Sequence, residues 1–581
     1  MKQIKVDVFV VGAGPTGLSS AALLAKYGVE VLAITRYPGT ANSPRAHVTN
    51  QRCMEVFRDL GIEKRIVAAA TPNTLMGGNI WATSFMGKEI ARLAAWGTGE
   101  ERKADYEISS PSEMCNIPQH VMEPIVLDAA REFGAKVMFN TLLVAMRQDE
   151  HGVYSICRDE VTGEETEIIS KYVIGGDGDN SVVVKEIGFE MEGEMGLGAA
   201  VNCWLEVDLT KYTAHRPGVL YWLAQPGSDY WVGSGTWISV KPWNEWVLLF
   251  MYNPEEGMPD LSEAGVIARA RTLIGDPDIE IKVKAVSKWT INHVAAKYMR
   301  KGRVMIAGNA AHRHPPANGL GTNTCVQDSF NLCWKLAMVL KGQADPSLLD
   351  SYSDERQPVA RQVVDRAMKS VRDMLPISKA LGFEPGQSAA DGWASLDELF
   401  GNSPRGRERR KELTKAIELQ NYQFNCNGVE LGQVYASSAV VQDGSQRPQP
   451  TRDPELYYQP TTFPGAYIPH AWLEVDRKKI STLDVVGHGA FTVVTGVGGQ
   501  HWVDAAKKLG AEFGVPVEAI SIGNGLDALD IYGTWAKRRE IEEDGCLLVR
   551  PDRYIAFRAK QMVGDPEQQL RQALHQILGR N

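Results

Sequence analysis

The stretch VGAGPTGL, residues 11–18, constrains the fold of this 581-residue chain more than any other. It follows the apolar run KVDVFV and precedes LSSAALLAKYG, in which apolar residues recur at helical spacing until Gly28. The next run, VEVLAI, is again apolar and β-branched. The sequence therefore predicts a strand, a tight turn, a helix and a second strand, the unit that opens a doubly wound α/β domain.

The turn itself carries three glycines, Gly12, Gly14 and Gly17, in the G-x-G-x-x-G spacing. The first permits the tight turn, the second lets a pyrophosphate approach the backbone, and the third lets the helix pack on the strand. The N-terminus of the helix then faces the negative phosphates. The turn predicts dinucleotide binding, but by itself it does not separate NAD from FAD.

The end of the second strand departs from the usual dinucleotide-binding pattern. Thr35 and Arg36 stand where an acidic residue normally binds the adenosine ribose. The Thr35 hydroxyl is able to bond a ribose hydroxyl, and Arg36 is able to pack on the adenine, face a phosphate or point to solvent. We predict that both residues contact the cofactor.

Composition narrows the class of protein. A chain of this length exceeds a single core, so at least two domains are expected. The net charge of −9 argues against a nucleic-acid partner, and no apolar run approaches the ~18 residues of a membrane span. The eight cysteines form neither a CxxC pair nor a metal-ligand group, which predicts reduced thiols, no metal site and a cytoplasmic location.

Two later segments complete a pattern of three. SKYVIGGDGDNSVVV places Asp177 and Gly178 after a strand, and GRVMIAGNAAHRHPPANGLGTNT places Gly308, Asn309 and a Pro-Gly loop before a long helix. Together with the first turn, they resemble the three fingerprints of FAD-dependent aromatic hydroxylases, over residues 1 to about 375. The stretches PRAHVTNQRCMEVFRDLGI and MCNIPQHVMEPIV, among others, narrow the resemblance to the phenol hydroxylase family.

The resemblance implies a set of cofactor contacts. Arg45 and Gln119 match positions that hold FAD phosphate and ribityl oxygens, and Asp177 lies where the FAD pyrophosphate and the path of NAD(P)H meet. Val184 replaces the family's arginine after this fingerprint, which weakens any prediction of an NADPH-phosphate contact there. The cofactor-binding residues expected are Gly12, Gly14, Gly17, Thr35, Arg36, Arg45, Gln119, Asp177, Gly178, Gly308, Asn309, Gly319, Leu320, Gly321 and Asn323.

The third fingerprint normally reads Gly-Asp, and its carboxylate binds the ribityl chain of the flavin. Here it reads Gly308-Asn309. Asparagine keeps an acceptor oxygen and adds an NH2 donor, but a neutral acceptor makes a weaker hydrogen bond than a carboxylate. We therefore expect FAD to bind, and we expect an Asn309→Asp variant to bind it no more weakly.

The loop PPANGLGTN resembles the family loop that meets the flavin ring and the substrate. Gly319 and Gly321 expose backbone N–H groups at the start of a helix, where partial negative charge on the reduced flavin is stabilised. Pro315 stiffens the approach to this loop. The resemblance implies that Pro315 and Gly319 belong to the catalytic site.

His47, in PRAHVTNQR, matches the family's histidine at the substrate hydroxyl. An ordinary imidazole pKa near 6.5 suits deprotonation or orientation of a phenol, whose own pKa is near 10. The alternative is a structural histidine bonded only to backbone. His312 and His314 are rival candidates beside the loop, and His312 fits a structural role better.

The resemblance implies a reaction. NADH or NADPH reduces FAD transiently, O2 adds at flavin C4a, and the resulting hydroperoxide attacks the ring of a small chlorophenol-like or alkyl- or aryl-substituted phenol, ortho to its hydroxyl. Two alternatives stay open: a hydroxylase or Baeyer–Villiger enzyme acting on a polyketide-type polycyclic phenol, and an inactive flavin-binding sensor or assembly protein.

The expected architecture has three parts and forms a homodimer or homotetramer. The first part is a Rossmann-like α/β FAD-binding domain of the para-hydroxybenzoate hydroxylase type. It is interrupted by the second part, an antiparallel substrate-binding sheet with a concentration of tryptophans, Trp222, Trp231, Trp237, Trp243 and Trp246. The last is a thioredoxin-like C-terminal domain without CxxC. The expected ranges are 1–75, 106–200 and 290–380 for FAD, 76–105 and 201–289 for substrate, 381–430 for a linker with helices, and 431–581 for the C-terminal domain.

Overall fold

The computed structural model describes residues 2–227 and 235–580. Its first layer is an eight-stranded sheet in which Lys2–Val11 runs parallel to both of its neighbours, Val31–Ile34 and Glu165–Gly175. The central strands are apolar and buried, as expected of a parallel sheet covered on both faces. The α/β fold class is confirmed. The strand order is Arg300–Lys301, Val304–Ile306, Glu165–Gly175, Lys2–Val11, Val31–Ile34 and Lys136–Met138, with Val153–Asp159 attached to Glu165–Gly175 and Thr141–Gln148 attached to Val153–Asp159.

The glycine-rich turn has the local structure that its sequence predicts. The helix after it spans Pro15–Lys26, with proline at a first-turn position where its missing N–H costs nothing. A Cβ atom on Gly17 would lie 1.8 Å from the carbonyl oxygen of Gly12. Only glycine therefore lets this helix approach the turn so closely.

A second eight-stranded sheet stands beside the first. Its long strands Met191–Glu206 and Lys282–Ala296 pair antiparallel and extend beyond residues 201–289 into ranges assigned to the FAD-binding domain. Gly218–Leu223 pairs parallel with Gly78–Ala82, so the sheet is mixed rather than wholly antiparallel. The strand order is His312–Arg313, Lys282–Ala296, Met191–Glu206, Glu245–Tyr252, Gly235–Lys241, Gly218–Leu223, Gly78–Ala82 and Glu89–Ala94.

The tryptophans of this sheet have different environments. Trp237 and Trp246 are fully buried in the core between the sheet and the helix Glu263–Ile274. Trp222 instead lines a large cavity between the two sheets. Trp231 lies outside the described residues. Residue type alone therefore did not separate core tryptophans from cavity tryptophans.

Two long helices, Gly321–Leu340 and Asp350–Asp373, follow the Pro-Gly loop. The first packs against the helix Pro15–Lys26, where Ser20 Oγ donates to Ser329 Oγ over 2.9 Å. No helix in the described part of the chain has the length and apolar character needed to cross a bilayer. The other helices of the first 431 residues are Gln51–Asp59, Glu63–Ala69, Asn73–Met76, Glu100–Glu107, Gln119–Glu132, Val182–Ile187, Thr210–Thr213, Glu263–Ile274, Leu375–Leu381, Ala389–Phe400, Pro404–Leu419, Asn421–Phe424 and Asn427–Leu431.

The C-terminal part is a small α/β unit around a four-stranded sheet. One neighbouring strand pair is parallel and joined through a helix, and the other two pairs are antiparallel. This arrangement matches the thioredoxin-like expectation. The strand order is Val517–Ser521, Phe491–Thr495, Cys546–Val549 and Ile555–Ala559, and the main helices are Gln500–Phe513 and Pro566–Leu578, with Trp472–Val475, Lys478–Ser481 and Leu529–Asp530 in a side sheet.

A buried ion network joins the C-terminal part to the long helices. The Glu355 carboxylate accepts hydrogen bonds from Arg550 Nη1 at 2.6 Å and from Lys335 Nζ at 2.8 Å, and Arg550 also bonds Asp552 at 2.6 Å. Burial alone would raise the pKa of Glu355, but the two cations hold it well below its usual range. Removing one partner of such a network would leave a buried unpaired charge, so the loss of any one partner is expected to destabilise the contact between the two parts.

All eight cysteines are buried free thiols. Burial raises the pKa of Cys115 and of Cys157 to about 12. Because the thiolate is the reactive form, these two side chains behave as small apolar groups.

Candidate active site

A cavity of about 1510 Å³ lies between the first sheet, at the carboxyl ends of its strands, and the second sheet. Ligands bind at this end of the strands in open α/β sheets. The cavity wall brings together thirteen of the residues predicted from the sequence, which are Gly12, Gly14, Thr35, Arg36, Arg45, His47, Gln119, Asp177, Gly178, Asn309, Pro315, Gly319 and Gly321.

Four predicted residues, Gly17, Gly308, Leu320 and Asn323, do not lie on this wall. Gly308 donates its N–H to Asp328, and the Leu320 side chain packs into an apolar core. Asn323 Nδ2 donates to the carbonyl oxygens of Val48 and Gly319, at 2.9 and 2.6 Å. These four residues lie behind the residues that line the cavity. Their direct contacts with a cofactor remain a prediction.

The residues after the second strand, which were predicted to contact the adenosine, lie on the cavity wall. Thr35 is buried, and its Oγ1 accepts from the Tyr37 N–H at 3.4 Å. The exposed Arg36 places its guanidinium 4.9 Å from the centroid of the Tyr37 ring and donates to the Tyr37 hydroxyl. The pair Arg36–Tyr37 presents a flat cationic and aromatic surface at the position where an acidic residue is usual.

Glu123 is a site residue that the sequence analysis missed. Its carboxylate is buried and accepts from Gln119 Nε2 at 2.6 Å and from the Ala41 N–H at 2.5 Å. Burial raises the pKa of Glu123, against the lowering by these hydrogen bonds and by Arg45. The only signal in the sequence is its position four residues after Gln119, on the same face of the helix Gln119–Glu132.

Both oxygens of the Asp177 carboxylate accept hydrogen bonds from nearby residues of the same turn. It accepts from the Ser181 hydroxyl at 2.6 Å and from the N–H groups of Val182 and Val183 at 2.7 and 3.2 Å. Burial raises its pKa in spite of these bonds. Asp177 therefore holds the turn that carries Gly178, and its predicted direct contact with the cofactor stays untested.

Asn309 lies on the facing side of the same wall. Its Nδ2 donates to Asp179 Oδ1 over 2.9 Å, and its carbonyl oxygen accepts from Arg313 Nε at 3.0 Å. Asp179 was not among the predicted site residues. The sequence carries no sign that these two residues, 130 positions apart, form a pair.

The Pro-Gly loop enters the cavity as a short turn, Ala317–Gly319, before the helix Gly321–Leu340. Asn318 adopts a φ of +68° there, and its Nδ2 donates to the Tyr422 carbonyl oxygen at 2.7 Å. The loop is therefore attached to the segment around the helix Asn421–Phe424, which the sequence analysis had treated as part of a linker.

His47 lies on the cavity wall with its backbone fixed. Its carbonyl oxygen accepts from the Ile117 N–H at 2.7 Å, whereas its buried Nδ1 has no hydrogen-bond partner among the described residues. Burial, and secondarily His120, lowers the pKa of His47 to about 3. The imidazole is therefore neutral at pH 7 and available as a hydrogen-bond acceptor.

The rival histidines are engaged elsewhere. His312 is fully buried, with Nε2 2.8 Å from Asp328 Oδ2, and the same carboxylate also bonds Arg356. His314 lies on the cavity wall, but its Nδ1 is 2.6 Å from the Pro315 carbonyl oxygen, and burial lowers its pKa to about 4. Of the three histidines, His47 has the imidazole best placed to meet a substrate hydroxyl.

The far end of the cavity is aromatic. Trp96, Trp222 and Phe424 line it, and the Phe424 ring centroid lies 5.8 Å from Trp96 and 6.3 Å from Trp222. Trp81 stacks behind Trp222 at 6.4 Å. Such a wall suits a flat apolar ring. Periodicity in the sequence does not indicate that Phe424, on a short helix far along the chain, reaches this wall.

Comparisons with known proteins settle the family. A model of the FAD binding domain matches residues 5–367, and a model of the aromatic-ring hydroxylase C-terminal region matches residues 461–581. The chain belongs to the FAD-dependent aromatic-ring hydroxylases. The sequence-based prediction of this family and of FAD as its cofactor is confirmed.

Relatives of this hydroxylase match it over almost its whole length. The 2,4-dichlorophenol 6-monooxygenase of Delftia acidovorans is 45% identical, covering 99% of this chain and 98% of the relative. The phenol 2-monooxygenase of Pseudomonas sp. (strain EST1001) is 42% identical, covering 97% and 91%. The flavin-dependent monooxygenase PieE, solved in complex with FAD and substrate, superposes with a TM-score of 0.96 at 45% identity over 100% of both chains.

The first wall of the cavity fits FAD. Gly12 has a φ of +107°, and a Cβ there would lie 2.2 Å from the Gly176 carbonyl oxygen. The atom nearest to a Cβ built on Gly14 is Glu123 Oε1 at 3.8 Å, so the backbone at the start of Pro15–Lys26 stays open to a phosphate. The described residues contain no group of three or more His, Cys, Asp or Glu side chains arranged to hold a metal ion.

Proposed function

We propose that this hydroxylase converts a small phenol into a catechol. The reaction consumes one phenol, one O2, one NAD(P)H and one proton, and it yields the catechol, NAD(P)+ and water. One observation carries the proposal: a single cavity joins the glycine wall that suits FAD to an aromatic wall, and His47, whose imidazole is neutral, lines the same cavity. The names of the two relatives, a dichlorophenol and a phenol monooxygenase, support the same class of substrate.

When bound, FAD supplies reduction by NADH or NADPH and activation of O2. The residues of the chain bind and orient the reactants. The N–H groups at the start of Pro15–Lys26 would hold the phosphates of FAD, and those at the start of Gly321–Leu340 would favour negative charge on its ring. Arg45 and Gln119 are proposed to hold phosphate and ribityl oxygens.

His47 orients the phenol rather than holding its proton. An imidazole with a pKa near 3 is a weak base towards a phenol with a pKa near 10, and the gap of roughly seven pKa units disfavours full proton transfer. A hydrogen bond from the phenol hydroxyl to the neutral imidazole still raises electron density at the ortho carbon. It also fixes which carbon faces the flavin.

The aromatic wall holds the ring and excludes water. Trp96, Trp222 and Phe424 offer flat apolar surface, and Pro315 and Gly319 bring the loop to the wall of the same cavity. Excluding water protects the activated oxygen from being lost as H2O2. A substrate that fills this pocket is therefore expected to couple NAD(P)H oxidation to hydroxylation.

The experiment that tests the proposal measures NAD(P)H oxidation by the yellow holoenzyme with and without 2,4-dichlorophenol and phenol. Substrate-stimulated oxidation with catechol formation supports the proposal. A yellow protein that oxidises NAD(P)H equally slowly with every phenol contradicts it and favours an inactive flavin-binding protein.

We further propose that the enzyme works in the cytoplasm as a homodimer or homotetramer. Its eight buried free thiols support a reducing compartment. Sedimentation of the holoenzyme at micromolar concentration tests the assembly, and a monomer throughout the concentration range contradicts it.

A further inference from the structure

Three carboxylates lie on the wall of the cavity: Glu123, Asp177 and Asp179. In each of the first two, both carboxylate oxygens accept hydrogen bonds from the protein itself. Asp179 is exposed on the wall and receives one described hydrogen bond, from Asn309 Nδ2 to its Oδ1. Of the three, Asp179 is therefore the exposed carboxylate, and its Oδ2 accepts no hydrogen bond from the described residues.

The partner of Asp179 stands where the third fingerprint normally carries an aspartate. Asn309 uses one N–H on Asp179, and Arg313 Nε donates to its backbone oxygen, which fixes the residue in place. The amide and the carboxylate thus form one polar unit, built from the second and the third fingerprints together. Asp179 carries the negative charge that position 309 lacks, and its Oδ1 lies 2.9 Å from Asn309 Nδ2.

We propose that Asp179 is the carboxylate that accepts hydrogen bonds from the ribityl hydroxyls of FAD, and that Asn309 is the positioning residue that orients it. A carboxylate accepts from hydroxyl groups more strongly than an amide oxygen does. The inference rests on the proposed function only in requiring that the chain bind FAD. The proposal gives a binding role to Asp179, which is not among the cofactor-binding residues expected from the sequence.

The Asp179–Asn309 pair reverses the expectation, drawn from the sequence, that an Asn309→Asp variant binds FAD no more weakly than the wild type. That substitution would place two carboxylates about 3 Å apart, and like charges at this distance repel and force one group to take up a proton. The variant is now expected to bind FAD more weakly. Exchanging both residues, Asp179→Asn with Asn309→Asp, restores one amide and one carboxylate in the reverse order.

The test dilutes each holoenzyme and follows the fluorescence of released FAD, which reports affinity without reference to activity. We expect Asp179→Asn and Asn309→Asp each to weaken FAD binding about 10-fold, the loss of one charge-assisted hydrogen bond. The double exchange is expected to return within about 3-fold of the wild type. Asp208→Asn, an exposed aspartate whose carboxylate accepts from the Thr210 N–H, serves as the matched control and leaves binding unchanged.

Two results would overturn the assignment. One is an Asp179→Asn protein that retains FAD as the wild type does; the other is a double exchange no tighter than the weaker single variant. Rescue by the exchange also separates a specific pair from general damage to the fold. A wild-type protein that takes up no FAD contradicts the proposed function instead.

Discussion

The side-chain amide of Asn318 donates to the carbonyl oxygen of Tyr422, 2.7 Å away, and to Cys426 Sγ, 3.4 Å away. Asn318 belongs to the Pro-Gly loop, which is proposed to meet the flavin, and Phe424, between its two partners in sequence, belongs to the aromatic wall of the same cavity. One side chain therefore ties this loop to the segment that carries Phe424.

An Asn318→Gly variant separates the backbone conformation of this residue from its side-chain hydrogen bonds. Glycine adopts a φ of +68° without strain, so the backbone of the loop survives, but both amide hydrogen bonds are lost. Each bond contributes about 1 kcal/mol. We expect FAD to stay bound while the catechol formed per NAD(P)H falls at least about 2-fold, measured as catechol and H2O2 in the same samples.

The control for this variant is Asn140→Gly, since Asn140 has a φ of +51° but does not line the cavity. Its coupling ratio is expected to match the wild type. If Asn318→Gly also couples normally, the backbone conformation alone matters and the amide bonds to Tyr422 and Cys426 do not position the loop.

The pKa of His47 gives a second prediction. Because burial and His120 lower it to about 3, the imidazole stays neutral between pH 5 and 8. We expect no ionisation of His47 in the pH profile of kcat/KM over that window. His47→Ala removes one hydrogen bond to the phenol and is expected to slow hydroxylation about 10-fold, while NAD(P)H oxidation continues and yields H2O2. Unchanged coupled turnover in this variant would remove His47 from the mechanism.

Phe424 is expected to set the size of the substrate. Phe424→Ala removes a ring packed on Trp96 and Trp222, which enlarges the pocket at a cost of about 3–5 kcal/mol in stability. The KM for phenol should rise about 10-fold, with a smaller rise for a biphenyl-sized phenol. The KM values of Phe424→Leu, which keeps most of the side-chain volume, should lie between those of the wild type and Phe424→Ala. Equal KM values for every phenol in all three proteins would contradict a role of this aromatic wall in substrate binding.

Glu430 predicts a dependence of stability on pH. Burial raises its pKa to about 8, and its Oε2 has no hydrogen-bond partner among the described residues. The folded chain thus holds this carboxyl neutral, while the unfolded chain ionises it near its ordinary value of about 4.5. The stability linked to this proton is complete below pH 4.5 and is lost as the pH rises towards 8.

The measurement compares thermal unfolding of the wild type and Glu430→Gln at pH 5, 6.5 and 8. The wild type should lose stability relative to the variant as the pH rises, by up to about 1.4 kcal/mol per pH unit. The exposed residue in Glu474→Gln provides the control. A difference between wild type and Glu430→Gln that stays constant with pH would show that Glu430 is ionised in the folded protein.

Local patterns in the sequence predicted much of the fold. The glycine turn, the helix Pro15–Lys26 and the C-terminal strands each follow from spacing that the chain displays over a few residues. The second sheet was predicted to be antiparallel, and it also contains one parallel pair, Gly218–Leu223 with Gly78–Ala82, which no local pattern indicates because it joins segments far apart in the chain.

The site was predicted less completely than the fold, because its side chains are brought together by contacts between distant parts of the chain. Asp179 with Asn309, and Asn318 with Tyr422, meet only after the chain has folded, and no short pattern marks such pairs. Glu123 looked like any acidic helix residue until its burial beneath Gly14 was visible. Tertiary contacts, not residue types, decided these roles.

The most direct test of the account follows the oxygen atom. The holoenzyme is incubated with NAD(P)H, 18O2 and 2,4-dichlorophenol, and the product is identified by mass spectrometry. We predict a catechol carrying one 18O atom beside the original hydroxyl, formed in near-equal amount to the NAD(P)H consumed. Consumption of NAD(P)H that yields only H2O2 with this and every other phenol would contradict the account.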